Sequence, residues 1–307
     1  MKKSIYLVII TISLLIISCE KIIDIDIEDK DKKIVVNGIL STDSLVKVNI
    51  SKSLSILDDK DVHFINDAIV TLYENDNFIE QLSSLDKGYY STISFKPTLE
   101  KRYKVTVEAS GLKSVNAENT IPNTIKINKI DTTTTQLSDE TGYSEEKLEC
   151  SINFTDPQNE NNYYYVFAKA YIPTNYDNFG NPISYELTNI FFESDDKIIE
   201  STINYGDGIV FSDKLINGDT YSLKIFISKY NFEQDTNKVY FYLNSVSKDF
   251  YLYAVSYEKH INAIYDPFVE PVQVYENINN GYGIFTGYSS FVDSITIIRG
   301  NNYIKNH

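Results

Sequence analysis

Apolar and polar residues alternate along most of this chain, and the alternation comes in short runs. Val46-Lys47-Val48-Asn49-Ile50, Tyr103-Lys104-Val105-Thr106-Val107 and Tyr221-Ser222-Leu223-Lys224-Ile225 each send apolar side chains to one face only, the period-two pattern of half-buried strands. Ile34–Leu40, Asp67–Tyr73 and Gly88–Ile93 continue the series, with Asn75-Asp76-Asn77 and Ser110-Gly111 as turns. Residues 34–121 are therefore expected to form an immunoglobulin-like or fibronectin-like β-sandwich, closed by Ile121-Pro122. Residues 122–307 are expected to form a second β-rich domain, with strands at Leu148–Phe154 and Tyr163–Tyr171. Thr132–Glu146 is polar and reads as a solvated loop or long hairpin, and 174–184 as another loop. Gly206-Asp207-Gly208 and Asn217-Gly218-Asp219 are hairpin signals. One segment departs from the pattern: Leu243, Val246, Phe250, Tyr253, Tyr257, Ile261 and Ile264 recur at helical spacing. A single long helix is expected near 242–264, capped by Asn244 or Ser245 and ended by Asp266-Pro267. The fold class is thus mainly β, a sandwich followed by a β-rich domain with one long helix.

The N-terminus follows a different rule. Lys2 and Lys3 precede an apolar run from Ile5 to Ile17, too short to span a bilayer, which needs about twenty residues. A positive start, a short apolar run and a small residue before the cleavage point make residues 1–18 a secretory signal. Ile16-Ile17-Ser18-Cys19 resembles the bacterial lipobox, which implies lipidation at Cys19 and a mature chain that begins there. The alternative is a plain signal peptide with an incidental cysteine. Residues 19–33 are densely charged and read as a lipidated tether, fraying into a strand at Ile23-Asp24-Ile25-Asp26-Ile27. That Asp alternation has neither the glycine nor the bidentate Glu of a calcium loop.

Charge and composition narrow the function. The formal charge is −15, and removing residues 1–18, with two lysines and no acids, makes it about −17. So acidic a chain disfavours nucleic acid, whose affinity rests on Lys and Arg neutralising phosphates. With Cys19 lipidated, Cys150 has no disulfide partner, and its alternation with Leu148 and Ile152 reads as a buried strand thiol. Tyr occurs 25 times and Phe 16 times, while Trp is absent; Tyr favours strands and cross-strand pairs. His63, His260 and His307 are far apart, and none forms a metal-ligand pair. The chain has no Gly-x-Ser-x-Gly elbow and no Gly-Lys-Ser/Thr phosphate loop. Carboxylates are abundant without one pair standing out. No enzyme activity, cofactor or metal is expected.

The C-terminal third carries a recognisable pattern. Asp266-Pro267-Phe268-Val269-Glu270-Pro271-Val272, followed by Asn277-Ile278-Asn279-Asn280-Gly281-Tyr282-Gly283-Ile284-Phe285-Thr286-Gly287, resembles the family called domain of unknown function 4249. Val35-Val36-Asn37-Gly38, Asp67-Ala68-Ile69-Val70, Phe154-Thr155-Asp156-Pro157 and the helical segment from Leu243 to Tyr257 are similar too. The resemblance implies a lipid-anchored outer-membrane lipoprotein of Bacteroidota facing the exterior. Its implied partner is a TonB-dependent outer-membrane transporter, and it implies no catalytic residues. A structural or adhesive surface module is the alternative. Gly281, Gly283 and Gly287 lack the spacing of a dinucleotide fingerprint and are expected to shape a turn before an edge strand. The expected functional surface is Asp266–Tyr288, with Tyr275, Tyr282, Phe285 and Tyr288 as candidate binding or interface residues.

Overall fold

The structure is a computed structural model that describes residues 31–55, 58, 61–138, 142, 144–203, 207–228, 236–266, 268–298 and 304–306. Cys19, the signal segment and the tether up to residue 30 lie outside the described residues, as do Pro267 and His307.

The alternating segments become strands. In the N-terminal part these are β1 (Ile34–Ser41), β2 (Lys47–Lys52), β3 (Ile69–Glu74), β4 (Asn77–Gln81), β5 (Ser83–Ser84), β6 (Tyr89–Ser91), β7 (Arg102–Glu108) and β8 (Val115–Thr120). There follow β9 (Ile127–Ser138), β10 (Ser144–Thr155), β11 (Tyr163–Tyr176), β12 (Pro182–Asn189), β13 (Ser201–Ile203), β14 (Gly208–Ser212), β15 (Thr220–Ser228) and β16 (Thr236–Val246). The helix α1 (Lys248–Tyr265) then leads to β17 (Tyr282–Ile298) and β18 (Ile304–Asn306).

One large sheet serves as the common layer. Its strands run β13-β14-β11-β16-β17-β1-β2-β6-β5, with β12 added to β11 and β18 to β17. Two smaller sheets, β4-β3-β7-β8 and β15-β10-β9, complete the set. Phe285 belongs to the N-terminal core and Ile295 to the C-terminal one. They lie on the same strand an even number of residues apart, so both small sheets cover the same face of the large one. The first core packs Val36, Leu40 and Ile50 against Val70, Leu72, Tyr103 and Val105. The second packs Tyr164, Val166, Phe241 and Leu243 against Cys150, Ile152, Phe154 and Ile225. Among the described residues the molecule is mainly β, sandwich-like, with one long helix, as its alternation implies. Helix α1 lies on the opposite face of the large sheet, where Tyr251 and Ala254 meet Val210, Val246, Tyr163 and Tyr165.

Helix α1 begins later than its periodicity suggests. Tyr242–Val246 is the end of β16, paired with β17 from Tyr242↔Val292 to Val246↔Tyr288. Leu243 and Val246 stand three residues apart and so fit a helical stripe, yet Leu243 enters the core under the sheet while Val246 faces the helix above it. Ser247 is the actual cap, accepting a hydrogen bond from the Phe250 N–H at 3.3 Å. The polar stretch after Thr132 is a long hairpin, since β9 and β10 pair through Ser138↔Ser144. The loop expected over 174–184 shrinks likewise, as β11 and β12 extend into it.

Thr155-Asp156-Pro157 has a specific task. The Asp156 carboxylate, 2% exposed, accepts hydrogen bonds from the Tyr164 hydroxyl and from the Gly218 N–H at 3.0 Å. One buried side chain thus fixes the end of β10, the start of β11 and the turn before β15. Burial pushes its pKa up against those two hydrogen bonds. Cys150 is fully buried, and burial pushes its thiol up, away from the reactive thiolate.

Candidate functional surface

The three glycines near the start of β17 are packing devices. A Cβ on Gly281 would stand 2.6 Å from the Ile34 carbonyl oxygen, one on Gly283 2.2 Å from that of Val36, and one on Gly287 2.4 Å from that of Thr120. Bare backbone at Gly281 and Gly283 lets β17 lie parallel to β1, from Val35↔Tyr282 to Ser41↔Tyr288, and at Gly287 it admits the end of β8. The strand is not an edge strand, because β16 and β1 flank it on both sides. An edge was expected because the flanking strands are remote in sequence, and local pattern does not reveal such partners.

The candidate aromatics divide by environment. Phe285 is fully buried in the N-terminal core, so it cannot present a contact surface. Tyr288 packs against the cluster beneath α1. Tyr275 donates its hydroxyl to Asp249 in the first turn of α1, and its N–H to the Ser256 oxygen at 2.8 Å. Burial, then Asp249, pushes its phenol up to about 12, so it remains a donor. Tyr282 is half-buried, with the Lys33 ammonium 4.5 Å from its ring centre. It lies beside the residues that lead into β1.

These residues form a joint rather than an open site. Asn119 on β8 donates to Asp249 at 2.6 Å and to the Phe285 carbonyl at 2.9 Å. Asn277 donates to the same carbonyl at 2.8 Å and accepts from the Phe285 N–H at 2.9 Å. The N-terminal sandwich, the helix and β17 are thereby tied by one partly buried polar network.

The accessible part of the segment lies at its beginning. Phe268 is 95% exposed and Tyr265 75% exposed, and Ile264 and Val269 are exposed beside them. Four apolar side chains within six residues at a helix end form an apolar turn that nothing in the chain covers among the described residues. Asp266 holds the turn by accepting from the Phe268 N–H at 3.0 Å. Sequence reasoning passed over Phe268 because Asp-Pro signals a helix stop and conceals what the next residue does.

A cleft between α1 and β13 gathers carboxylates and hydroxyls. It has a volume of about 320 Å³ and includes Glu200, Ser201, Thr202, Glu258 and Lys259 in its lining. Both carboxylates are engaged. Glu258 accepts from the Ser201 hydroxyl, from the Thr202 N–H at 2.8 Å and from its hydroxyl at 2.7 Å. Glu200 accepts from Ser212 and Tyr251. Burial pushes Glu200 up, but those hydrogen bonds outweigh it and hold the group below the usual carboxylate range. A glycosidase pair needs one carboxyl raised and protonated, and Glu200 is shifted the opposite way. Glu258 instead clips α1 to the sheet edge. Glu258→Ala should cost about 2 kcal/mol, the scale of lost hydrogen bonds to a charged group. Urea unfolding with an unchanged m-value would read that loss, and hydrogen exchange should quicken first in β13. Among the described residues no group of three or more His, Cys, Asp or Glu could hold a metal ion.

No curated protein matches the chain. Among solved structures it is similar to the collagen adhesin of S. aureus, with 11% identity, a TM-score of 0.19, and 89% of this chain and 96% of that chain covered. It is similar also to a structure of manganese lipoxygenase of Gaeumannomyces graminis with part of zonadhesin of Komagataella pastoris, with 11% identity, a TM-score of 0.18, and 71% and 89% covered. At such scores neither likeness bears on fold or function. The model of the domain of unknown function (DUF4249) matches residues 20–293, a span that holds the N-terminal core, nearly all of the C-terminal one, the helix and the glycine-bearing start of β17, and the chain therefore belongs to the DUF4249 family.

Proposed function

We propose that the protein is a Bacteroidota outer-membrane lipoprotein, lipidated at Cys19 and facing the exterior, that serves as a non-catalytic accessory of a TonB-dependent transporter in nutrient capture or uptake. The observation that carries the partner is the apolar turn at Phe268 and Val269. Exposed apolar side chains gathered at one helix end favour burial against another protein, and aromatic residues are enriched in interface cores. The lipobox-like Ile16-Ile17-Ser18-Cys19 supports the anchor. The tether supports proximity: fifteen residues from Cys19 to Lys33 reach at most about 50 Å when extended, which keeps the body within one protein diameter of the membrane.

The test is co-purification of the tagged protein from outer membranes. The wild type should bring down a TonB-dependent transporter. Phe268→Asp should leave Tm unchanged, because the side chain touches solvent, while reducing transporter recovery at least tenfold. Cys19→Ala should leave the protein unprocessed or released from membranes, and without lipid label. A wild type recovered without a transporter, under conditions that retain other transporter complexes, would return the protein to the adhesive reading.

A further inference from the structure

The hairpin of β11 and β12 runs on past its neighbour. Ala170 pairs with Val239, so Thr236, where β16 starts, is level with Pro173, and β11 continues to Tyr176. The chain then turns through residues 177–181, and the turn is firmly built. The Asp177 carboxylate accepts from the Phe179 and Asn181 N–H groups, both at 2.8 Å, and from the Asn181 side-chain amide at 2.9 Å. Those bonds, the Asn181 side chain foremost, hold Asp177 below the usual carboxylate range. What the turn presents is Phe179, 91% exposed.

The outer edge of β12 is open. The Ile190 N–H donates to the Ala168 carbonyl at 3.0 Å. By alternation Glu186 and Thr188 also turn their N–H and C=O groups to β11, while Tyr185 and Leu187 turn theirs away. Among the described residues β12 pairs only with β11. The large sheet ends elsewhere in β5, β13 and β18, strands of two or three residues, and brevity protects such edges from pairing. β12 has eight residues. Its Ile183, Tyr185 and Leu187 are exposed, and so is Phe191 just beyond it, at 50%. Glu186 is the one charged residue from 178 to 191, in a chain with 43 acidic residues and a formal charge of −15. Such a charge keeps copies of a protein apart, and this strip is nearly free of it.

We infer that β12 is a dimerisation edge, on which a second copy of this chain docks antiparallel about a twofold axis through Tyr185. The register carries the assignment. With Tyr185 on the axis, the two Tyr185 residues exchange N–H···O bonds, Leu187 meets Ile183, and Glu186 falls opposite Ser184 rather than a second carboxylate. Phe179 and Phe191 stand six residues to either side of Tyr185. The same axis therefore carries the tip phenylalanine of each copy to the Phe191 end of the other. Every exposed apolar residue of the edge then has an apolar partner. An axis through Glu186 would set two carboxylates against each other, and one through Leu187 would put Tyr185 against Asn189 and Phe179 against Asp195. The register of β12 against β11 slips near Ile183, so backbone pairing centres on Tyr185 and Leu187, while Ile183 and Phe179 meet the partner through side chains. The pre-formed turn lowers the ordering cost of that contact. Residues 179–191 supply thirteen positions a side, fewer than the 20–30 of a standard interface, so the dimer is concentration-dependent. The inference uses no residue of the Phe268 turn, and the two proposals stand or fall independently.

The test is disulfide trapping in the full chain, in detergent with micelles in excess. Cys150 is fully buried and does not compete. Tyr185→Cys places two thiols on the axis with Cα atoms about 5.5 Å apart, within disulfide reach. Asn189→Cys, four residues off the axis, separates them by eight residues, or about 26 Å, and is the control. The expected result is a linked dimer that forms at least tenfold faster at Tyr185→Cys than at Asn189→Cys, and a mixed dimer when Ile183→Cys and Leu187→Cys are combined. In sedimentation the wild type should dimerise with rising concentration. The Kd should rise at least tenfold in Tyr185→Lys/Leu187→Lys, with circular dichroism unchanged, and should rise also in Phe179→Asp, which leaves β12 itself intact. Equal trapping at the two positions would mark random collision and overturn the inference. A wild type that stays monomeric at the highest concentration would overturn it too. So would a dimer indifferent to the changes at Tyr185, Leu187 and Phe179, or one abolished by Phe268→Asp, which would move the contact to the helix end.

Discussion

Gly283→Ala should be among the most damaging single-methyl changes in this protein. Its φ is +102°, and a Cβ there would lie 2.2 Å from the Val36 oxygen and 2.9 Å from the Val36 carbonyl carbon. Backbone strain at positive φ costs about 1–3 kcal/mol, and overpacking against an immobile backbone adds about 1–3. Moving β17 away to relieve the clash breaks its pairing with β1 and disturbs the Phe285 core on the same strand. A loss of about 4 kcal/mol is expected, read by urea unfolding, with a fall in Tm of roughly 10 °C. Gly111→Ala is the control: its φ is +73°, but nothing lies within 4 Å of the new Cβ, so only the strain of about 1 kcal/mol should appear. Equal losses at the two positions would show that close approach to β1 is not what Gly283 provides.

Asp156→Ala should also be costly, for an electrostatic reason. It strands the Tyr164 hydroxyl in a dry site and takes the acceptor from the more exposed Gly218 N–H, and a buried unsatisfied group costs about 1–3 kcal/mol. The expected loss is about 3 kcal/mol at neutral pH. The pH dependence has a definite sign. Burial raises the folded pKa of Asp156 above its unfolded value. Between the two values the folded state binds more protons, and stability falls as pH rises. The contribution of this group is therefore fully present below the unfolded pKa and lost as pH passes the folded one. Asp156→Ala should flatten that part of the stability profile, measured by urea unfolding across the acidic range. A profile of unchanged slope in the variant would remove Asp156 as its source.

What the sequence revealed depended on range. Alternation over five to nine residues identifies strands such as Val46–Ile50 and Tyr221–Ile227, because the two faces of a strand see different solvents. Helix α1 was visible for the same reason, but its start was misplaced, since Leu243 and Val246 satisfy a helical spacing while serving opposite faces of β16. The partners of β17 were invisible, because β1 and β16 leave no local trace on it. The candidate surface was half legible. The segment Asp266–Tyr288 contains the exposed Phe268, but its aromatics at 275, 285 and 288 serve the joint and the cores.

The parallel pairing of β1 with β17 also sets the order of events when the chain folds. Val35 and Tyr282 are partners about 250 residues apart, so the first of the described strands to be synthesised waits for nearly the last. Ile278 and Phe285 also fill the N-terminal core, which stays incomplete until they arrive. Each doubling of the closing loop costs only about 0.6 kcal/mol, so equilibrium stability suffers little. The search slows instead, as non-local contacts lengthen folding times by orders of magnitude. At roughly 5–20 residues per second of synthesis, the N-terminal sandwich stays open for most of the time the chain is being made. On the proposed reading of an exported lipoprotein, such a delay keeps the chain from locking into its final shape before its last strands have crossed the membrane.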